Sequence, residues 1–199
     1  MKILLTSFEP FGGNARNSSW EVASLLPDTI GYHTIVKGLL PVDFRTAGNS
    51  LRSLIERHAP DVVMMLGQSR KFAGLSIERV ALNLMDAAKP DNSGYTPANE
   101  PIHPDGETAY LTTFPVGELA EACNHKGIAA QISNSAGTYV CNRVYYEALY
   151  TITQNRLHAQ ALFIHLPYIP EQEKEPSMSK GQLADGIIEI MKHCTRENH

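Results

Sequence analysis

Residues 61–68 read Asp-Val-Val-Met-Met-Leu-Gly-Gln, five consecutive apolar residues between an aspartate and a glycine. An unbroken apolar run of this length is typical of a central parallel strand that is covered on both faces. We therefore predict a buried strand over residues 61–66. The other predicted strands are Lys2–Thr6, Tyr32–Leu40, Leu75–Leu84, Ile128–Ser133 and Gln160–His165.

Helical patterns alternate with these strands. Ser18 and Glu21 have the spacing of a capping box, which predicts a helix that starts at Ser18 and ends near Pro27. Asp43 caps the next predicted helix, and Pro60 ends it. Three more helices are predicted: over Val116–Lys126 with Gly127 as its stop, from near Cys141 toward Arg156, and over Lys180–His193.

This alternation predicts an α/β fold, a three-layer sandwich with a mostly parallel twisted sheet and helices on both faces, of the phosphorylase- and hydrolase-like class. No linker or repeat divides the chain, so we expect one domain over residues 1–199. The stretch Asp86–Glu107 is predicted to be irregular, as a functional loop or with a small hairpin. Ligands of such folds bind at the carboxyl ends of strands, where we expect Ser7–Asn17, Gly137–Asn142 and His165–Tyr168.

The composition argues against several classes of protein. The net charge of −4 predicts no binding to nucleic acid or to an anionic membrane surface. No apolar run approaches the roughly 20 residues of a membrane span, and the N-terminus does not resemble a secretory signal. The three cysteines are widely spaced, which fits a reducing cytoplasm better than a disulfide framework. The eight histidines have no paired spacing and no nucleotide-binding glycine motif is present, so we expect neither metal nor cofactor.

Cys141 is the first candidate for chemistry. It lies in Ala-Gly-Thr-Tyr-Val-Cys-Asn, residues 136–142, and a helical pattern follows it. A thiol in the first turn of a helix lies at the positive end of the helix dipole, which favours the thiolate. Alternatively, Cys141 is a small buried apolar residue, as most single cysteines are.

His165 and Glu78 are the candidate partners of this thiol. His165 ends a predicted strand, where it can reach the start of a neighbouring helix, although such a histidine is often structural. A cysteine and a histidine form the pair that nucleophilic acyl transfer needs. Glu78 lies among apolar residues, where an unpaired carboxylate is costly, and it can orient the histidine. The alternative partner of Glu78 is Arg79, or solvent at an edge strand.

The N-terminal loop carries two aromatic residues three positions apart, Phe8 and Phe11, followed by Gly12 and Gly13. Aromatic side chains in a loop between a strand and a helix often fill the core. They are equally suited to forming the walls of a pocket for a flat apolar ligand.

Several segments together resemble the pyroglutamyl peptidase I (pyrrolidone-carboxylate peptidase) family, over nearly the whole chain. The segments that carry the resemblance are LLTSFEPFGG at 4–13, ASLLP at 23–27, GQ at 67–68, ERVALN at 78–83, PDNSG at 90–94, AGTYVCN at 136–142, HLPYIPEQ at 165–172 and PSM at 176–178. The pairing of AGTYVCN with a histidine at the end of a later strand is the most specific of these marks.

The resemblance implies a cysteine exopeptidase that removes N-terminal pyroglutamyl residues from peptides through a thioester. It assigns Cys141 as nucleophile, His165 as general base and acid, and Glu78 as the carboxylate that orients His165. Substrate-binding positions follow in the same way: Phe8 and Phe11 sandwich the ring, main chain near Gln68 bonds the lactam, and Asn17 lies close to the pocket. The resemblance also implies a homo-oligomer, usually a tetramer. The expected partners are therefore peptides with an N-terminal pyroglutamate.

Two segments depart from the family pattern. Relatives usually read GQAGGR where this chain has Gly-Gln-Ser-Arg-Lys-Phe at 67–72, and DARIPDN where it has Asp-Ala-Ala-Lys-Pro-Asp-Asn at 86–92. The family arginine associated with the oxyanion is therefore Ala88 here. Lys89 carries a charge, but a strand neighbour points to the opposite face, and lysine lacks the planar fork of arginine.

Two alternatives to the peptidase follow from these departures. One is a related cysteine amidase with an altered substrate range, and the other is a binding homologue with weakened catalysis. A nucleoside-phosphorylase-like activity is suggested by fold class alone, which is weak support.

Overall fold

A computed structural model describes residues 1–195, and its strands include every one that the sequence pattern predicts. In chain order they are β1 (Lys2–Phe8), β2 (Thr29–Ile30), β3 (His33–Leu40), β4 (Val62–Gln68), β5 (Leu75–Glu78), β6 (Val80–Leu82), β7 (Ala109–Leu111), β8 (Ala130–Ser133) and β9 (Gln160–Leu166). Seven of them form one sheet in the order β2-β3-β1-β4-β9-β5-β8, and β6 pairs with β7 in a separate ribbon.

The main sheet is mixed but mostly parallel. Strands β3, β1, β4 and β9 run parallel to one another, and β5 and β8 run parallel to each other. The two reversals are β2 against β3 and β5 against β9. The apolar run at 62–66 therefore does form a central strand, between β1 and β9.

Helices cover both faces of the sheet, which confirms the predicted three-layer α/β sandwich. They are α1 (Ser18–Leu25), α2 (Ala47–His58), α3 (Val116–His125), α4 (Val140–Gln154) and α5 (Lys180–Cys194). Met64 and Leu66 of β4 face the core cluster that contains residues of α1, α3 and α5. Val63 and Met65 face the other cluster, which contains residues of α2 and α4. Because side chains of a strand alternate between its faces, an apolar residue is needed at each of these positions.

Four details differ from the sequence predictions. The N-cap of α1 is Asn17 and not Ser18, because the Asn17 side chain accepts the backbone N–H of Ser19. Asp43 does not cap α2 but the turn before it, through the backbone N–H groups of residues 45 and 46. The strand predicted over Leu75–Leu84 is two strands in different sheets, since the chain leaves the main sheet at Arg79. The very short β2 and β7 were not predicted.

The stretch 86–107 contains no strand or helix, as predicted. An isolated bridge between Met85 and Glu100 and a backbone hydrogen bond from Ala87 to Pro97 tie its start to its middle. Among the helices of residues 1–195, none has the length and apolar character needed to cross a membrane.

Candidate active site

Cys141 lies in the first turn of α4, at the carboxyl edge of the parallel strands. No side chain caps this helix at its N-cap, Tyr139. The first backbone N–H groups of a helix have no partner within it, so those beside Cys141 are available to an anion. The sulfur sits against β4, where a Cβ added to Gly67 would lie 3.0 Å from the Cys141 Sγ. Only glycine at position 67 leaves room for this sulfur and for the ring of Phe163.

His165 and Glu78 lie beside this thiol on the same face of the sheet. The His165 Nδ1 is 2.7 Å from the Glu78 Oε1, and both side chains are buried. Burial lowers the pKa of His165, but hydrogen bonding to Cys141 and Glu78 and the charges of both raise it further, to about 9. An imidazole whose pKa is raised in this way is protonated at neutral pH, so it can give a proton to a group that leaves beside it.

The carboxylate of Glu78 is committed to His165. Its second oxygen, Oε2, is buried and has no hydrogen-bond partner among the described residues. The backbone carbonyl of Glu78 accepts the hydroxyl of buried Tyr145, which fixes the strand end that carries the carboxylate. The thiol, imidazole and carboxylate therefore form a line across β4, β9 and β5. This arrangement can perform nucleophilic acyl transfer.

A narrow pocket opens beside the thiol, on the side of β1 and β3. Its volume is about 10 Å³, close to the space of one water molecule. The walls are Phe8, Phe11, Asn17, Val42, Gln68, Tyr139, Val140 and Cys141. Phe8 is buried at the end of a strand, whereas Phe11 is partly exposed in a loop.

The structure brings all seven predicted site residues to this region, but two side chains are already occupied. The Asn17 amide accepts from Ser19 and donates to the Glu9 carbonyl, at 3.0 Å and 2.9 Å. The Gln68 Oε1 accepts the backbone N–H of Ser18 and the amide of Gln172, each at 2.9 Å. Asn17 and Gln68 therefore hold the pocket's loops together with their side chains.

Polar contacts of Glu9 and Asn92, here called the polar strut, hold the loop that carries Phe11. The Glu9 carboxylate accepts the backbone N–H of Val42 and the amide of Asn92, and that amide also donates to the Pro10 carbonyl. The strut therefore joins the loop after β1 to the loop after β3. Asp91 anchors its far end, where burial raises its pKa but hydrogen bonds from Phe44 and neighbouring residues lower it further, to a net decrease.

Sequence reasoning missed three features of the site: Val42, Tyr139 and Gly67. Tyr139 lies two residues before the nucleophile candidate, so its place in the AGTYVCN segment was a usable signal. Its ring packs edge-on against Phe44 with centroids 5.0 Å apart. Val42 carries no such signal, because only the pairing of β3 with β1 brings it to the pocket.

The two segments with unusual sequence lie in loops. Ala88 and Lys89 are exposed in a loop and not in a strand, so the expectation that strand alternation turns Lys89 away does not apply. Arg70 and Lys71 are exposed in the connection from β4 to β5. Arg143, two residues after the thiol, is bound to buried Glu147.

The other two thiols differ from Cys141 in their burial. Burial raises the pKa of Cys123 to about 11 and that of Cys194 to about 12. Of the three cysteines, all of which lie within residues 1–195, Cys141 is the partly exposed one, and it reaches a pocket with a histidine beside it. In the same part of the chain, no cluster of three or more His, Cys, Asp or Glu side chains is arranged to hold a metal ion.

Comparison with known proteins gives a consistent result. The family model for pyroglutamyl peptidase matches residues 1–193. The chain is 44% identical over 195 residues to the pyrrolidone-carboxylate peptidase of Thermococcus onnurineus, covering 96% of this chain and 98% of that protein. It is 42% identical over 201 residues to that of Thermosipho africanus, covering 99% and 98%.

Solved structures agree with the sequence relatives. A point mutant of the pyrrolidone carboxyl peptidase from P. furiosus superposes with a TM-score of 0.95 and 36% identity over all of both chains. The pyroglutamyl peptidase I of Bacillus amyloliquefaciens superposes with a TM-score of 0.91 and 37% identity over 95% of this chain and 94% of that one.

Proposed function

This chain belongs to the pyroglutamyl peptidase family of cysteine peptidases, and we propose that it removes N-terminal pyroglutamyl residues from peptides with Cys141 as nucleophile. The observation that carries the proposal is the line of thiol, imidazole and carboxylate beside a pocket with aromatic walls. The 2.7 Å contact between His165 and Glu78 and the raised pKa of His165, about 9, support a role for His165 as the proton donor.

Recognition of the ring comes first. The pyroglutamyl ring enters between Phe8 and Phe11, and its lactam N–H and C=O pair with backbone near Gln68. A buried lactam group without a partner would cost about 1–3 kcal/mol, so a site with these backbone groups disfavours a prolyl ring, which lacks the carbonyl. Because the pocket is only about 10 Å³, ring entry requires its walls to move apart.

Acylation follows. The Cys141 thiolate attacks the pyroglutamyl carbonyl, forming a C–S bond while the carbonyl electrons move onto oxygen. The free N–H groups in the first turn of α4 stabilise this oxyanion. When the electrons return, the C–N bond breaks, and the His165 imidazolium gives its proton to the departing amine.

Hydrolysis completes the cycle. His165, now neutral, takes a proton from water as the water oxygen attacks the thioester carbon. Collapse of the second tetrahedral species breaks the C–S bond, and pyroglutamic acid leaves with the thiolate regenerated. Glu78 keeps the imidazole oriented and balances its charge in both steps.

A fluorogenic amide of pyroglutamate tests the proposal. Wild type should release the amine, and Cys141→Ala should reduce release to background, while Cys123→Ala retains it. Prolyl and glutaminyl amides of the same amine should be cleaved far more slowly. Turnover by Cys141→Ala at the wild-type rate would overturn the role of the thiol.

The second candidate is a related cysteine amidase with an altered substrate range. The observation that favours it is the sequence of two loops, around Ala88 and at residues 69–72, which departs from the family pattern. Faster cleavage of another cyclic amide than of the pyroglutamyl amide would favour this candidate.

Location and assembly are further parts of the proposal. We propose that the chain acts in a reducing cytoplasm, which suits its three free thiols. We also propose that it self-associates, as a tetramer. Apolar side chains that stay exposed on the single chain, such as Tyr32 and Leu39, support self-association. Light scattering coupled to gel filtration measures the mass, and a monomer at micromolar concentration would contradict it.

A further inference from the structure

Residues 138–145, which include Cys141, lie alongside residues 78–86, which begin with Glu78, and the two segments run in opposite directions. Hydrogen bonds join the segments at three places. The bonded residues are Tyr145 with Glu78, Asn142 with Leu82 and Leu84, and Thr138 with Asp86. Cys141 therefore lies between two of these contacts, and the residue whose carboxylate faces His165 takes part in the third.

Asn142, the residue after Cys141, makes the central contact. It is completely buried, and its side-chain oxygen accepts the backbone N–H of Leu82 at 2.9 Å. Its amide nitrogen donates to the carbonyls of Leu82 and Leu84, at 2.9 Å and 3.0 Å. The side chain therefore uses its oxygen and both of its N–H groups on the backbone of one short segment.

Tyr145, three residues further along α4, makes the contact at Glu78. Its side chain is completely buried, and its hydroxyl donates to the Glu78 carbonyl at 3.0 Å. Residues three apart lie on one face of a helix, so Asn142 and Tyr145 both face the segment that begins at Glu78. The ring also packs against Phe163, whose own ring lies 4.8 Å from that of His165, measured between centroids. Tyr145 thus contacts the strand end of the carboxylate and a ring that packs on the imidazole.

Pairing within the sheet does not by itself relate the thiol to the carboxylate. Glu78 lies on β5, which pairs with β9, so the sheet fixes Glu78 relative to His165. Cys141 lies on α4, a helix outside the sheet, and the bonds of Asn142 and Tyr145 hold this helix against the strand end. A misplacement of about 1 Å in a reacting group can cost about 100-fold in rate, so these bonds bear on catalysis.

Resting on the proposed function, we propose that Asn142 and Tyr145 are positioning residues, which form a clamp between the helix of the nucleophile and the strand of Glu78. The clamp keeps the Cys141 thiol within reach of the His165 imidazole. Neither clamp residue touches the substrate, since both side chains are completely buried. Because the ring is held by other residues, loss of the clamp should lower kcat more than it raises KM.

Two neighbouring tyrosines offer a matched pair of variants. Tyr146 is also completely buried, and its hydroxyl donates to a backbone carbonyl of a different segment, that of Glu107, at 2.6 Å. Tyr145→Phe should lower kcat on the fluorogenic pyroglutamyl amide by about 3- to 10-fold, the equivalent of one hydrogen bond. Tyr146→Phe removes the same atom from the next residue and should keep kcat near wild type.

The pH profile separates positioning from a loss of stability. The alkaline limb of kcat/KM reports the group that must be protonated in the free enzyme, which is His165 in the proposed reaction. A Glu78 carboxylate that is held less well stabilises the imidazolium less, so Tyr145→Phe should move this limb to lower pH. Tyr146→Phe should leave the limb unchanged, even if both variants unfold at lower urea concentration.

A pair of asparagine variants tests the other half of the clamp. Asn124 of α3 makes a similar bridge, since its amide bonds the backbone N–H and carbonyl of Ala130 at 3.0 Å and 2.9 Å. Asn142→Ala should lower kcat by about 10- to 100-fold, and Asn124→Ala should keep it near wild type. Urea unfolding of each variant gives the folded fraction to which kcat is referred. If Asn142→Ala does not fold, Tyr145→Phe, which loses a single oxygen, decides the test.

The outcomes separate this inference from the proposed function. If Tyr145→Phe keeps the wild-type kcat and pH profile, the clamp positions nothing, while the peptidase activity stands. If Tyr146→Phe and Asn124→Ala lose as much activity as their counterparts, the losses reflect general stability and the clamp is wrong. If wild type does not cleave the fluorogenic amide, the proposed function fails together with the clamp.

Discussion

Residues 1–195 contain two buried glutamates that each contact a histidine, and their surroundings are opposite. Glu147 in α4 accepts from Arg52, Arg143 and His103, so both of its oxygens are bonded. Glu78 contacts only His165 through one oxygen, and its other oxygen has no partner within residues 1–195. Both carboxylates are almost completely inaccessible to solvent.

This difference distinguishes an ion cluster that stabilises the fold from a site that is suited to proton transfer. Burial opposes the charge of Glu147, but Arg143, Arg52 and His103 outweigh it and lower its pKa to about 2. In the pair that contains Glu78, the histidine is the group whose pKa is shifted: the pKa of His165 is raised to about 9. A carboxylate surrounded by permanent cations stabilises the fold, whereas one that shares its charge with a single imidazole can support proton transfer.

The largest expected effect follows from removing the charge of Glu78. Glu78→Gln keeps the shape but cannot balance an imidazolium, so kcat on a pyroglutamyl amide should fall by about 10²- to 10⁴-fold. The melting temperature should fall at neutral pH, because the charge of Glu78 helps to stabilise the His165 imidazolium, but the variant should remain folded. A loss of folding that accompanies the loss of activity would make Glu78 a structural residue like Glu147.

The same substitution at the other glutamate should act on stability. Glu147→Gln leaves buried Arg143 and partly exposed Arg52 without a full countercharge, and breaking a buried pair such as Arg143–Glu147 costs about 3–5 kcal/mol of unfolding free energy. Urea unfolding measures this loss. The fraction that remains folded should keep near wild-type kcat. A fall in kcat as large as that of Glu78→Gln would erase the distinction between the two sites.

Two glycines offer a sharper version of the contrast. A Cβ at Gly67 would lie 3.0 Å from the Cys141 Sγ, and one at Gly48 would lie 2.5 Å from the Arg143 guanidinium. Gly67→Ala should displace the nucleophile and lower kcat by about 10- to 100-fold. Gly48→Ala should lower the unfolding free energy and leave kcat near wild type. Steady-state kinetics and urea unfolding on both variants test whether one loses activity and the other loses stability.

The smallest expected effects concern pH. The pKa of His165 is above its value in the unfolded chain, so its contribution to stability is complete below about pH 6.5 and is lost as pH rises through about 9. The pKa of Glu147 is lowered, so its contribution is present above about pH 4.5 and is lost as pH falls toward 2. His165→Ala should flatten the alkaline limb of a plot of stability against pH, and Glu147→Gln the acid limb. If each variant changed the other limb, the assignment would be wrong.

Much of the fold follows from local pattern. The buried runs at 62–66 and 160–165 mark the centre of the sheet because a strand covered on both faces has no polar alternation. The direction of β5 could not be predicted. Its reversal against β9 depends on a connection that crosses β9, and no local pattern encodes that path.

How much of the site could be predicted from the sequence differs from residue to residue. Cys141 lies at the start of a helix and His165 at the end of a strand, where the reactive groups of such folds are usually found. The family resemblance then identified the two as partners. The Glu147 cluster left one local signal, the spacing of Arg143 and Glu147 by four residues. Its partners Arg52 and His103 come from distant segments, which only tertiary packing brings together.

The central claim is that Cys141 is the thiol that substrate meets, activated through His165 by Glu78. A pyroglutamyl chloromethyl ketone carries the substrate's ring and places an electrophile at the scissile carbonyl, and peptide mass mapping identifies the alkylated residue and its rate. We predict rapid labelling of Cys141 alone, slowed by Glu78→Gln and unchanged in folded Glu147→Gln. Labelling at Cys123 or Cys194, or an equal rate with the prolyl reagent, would contradict the account.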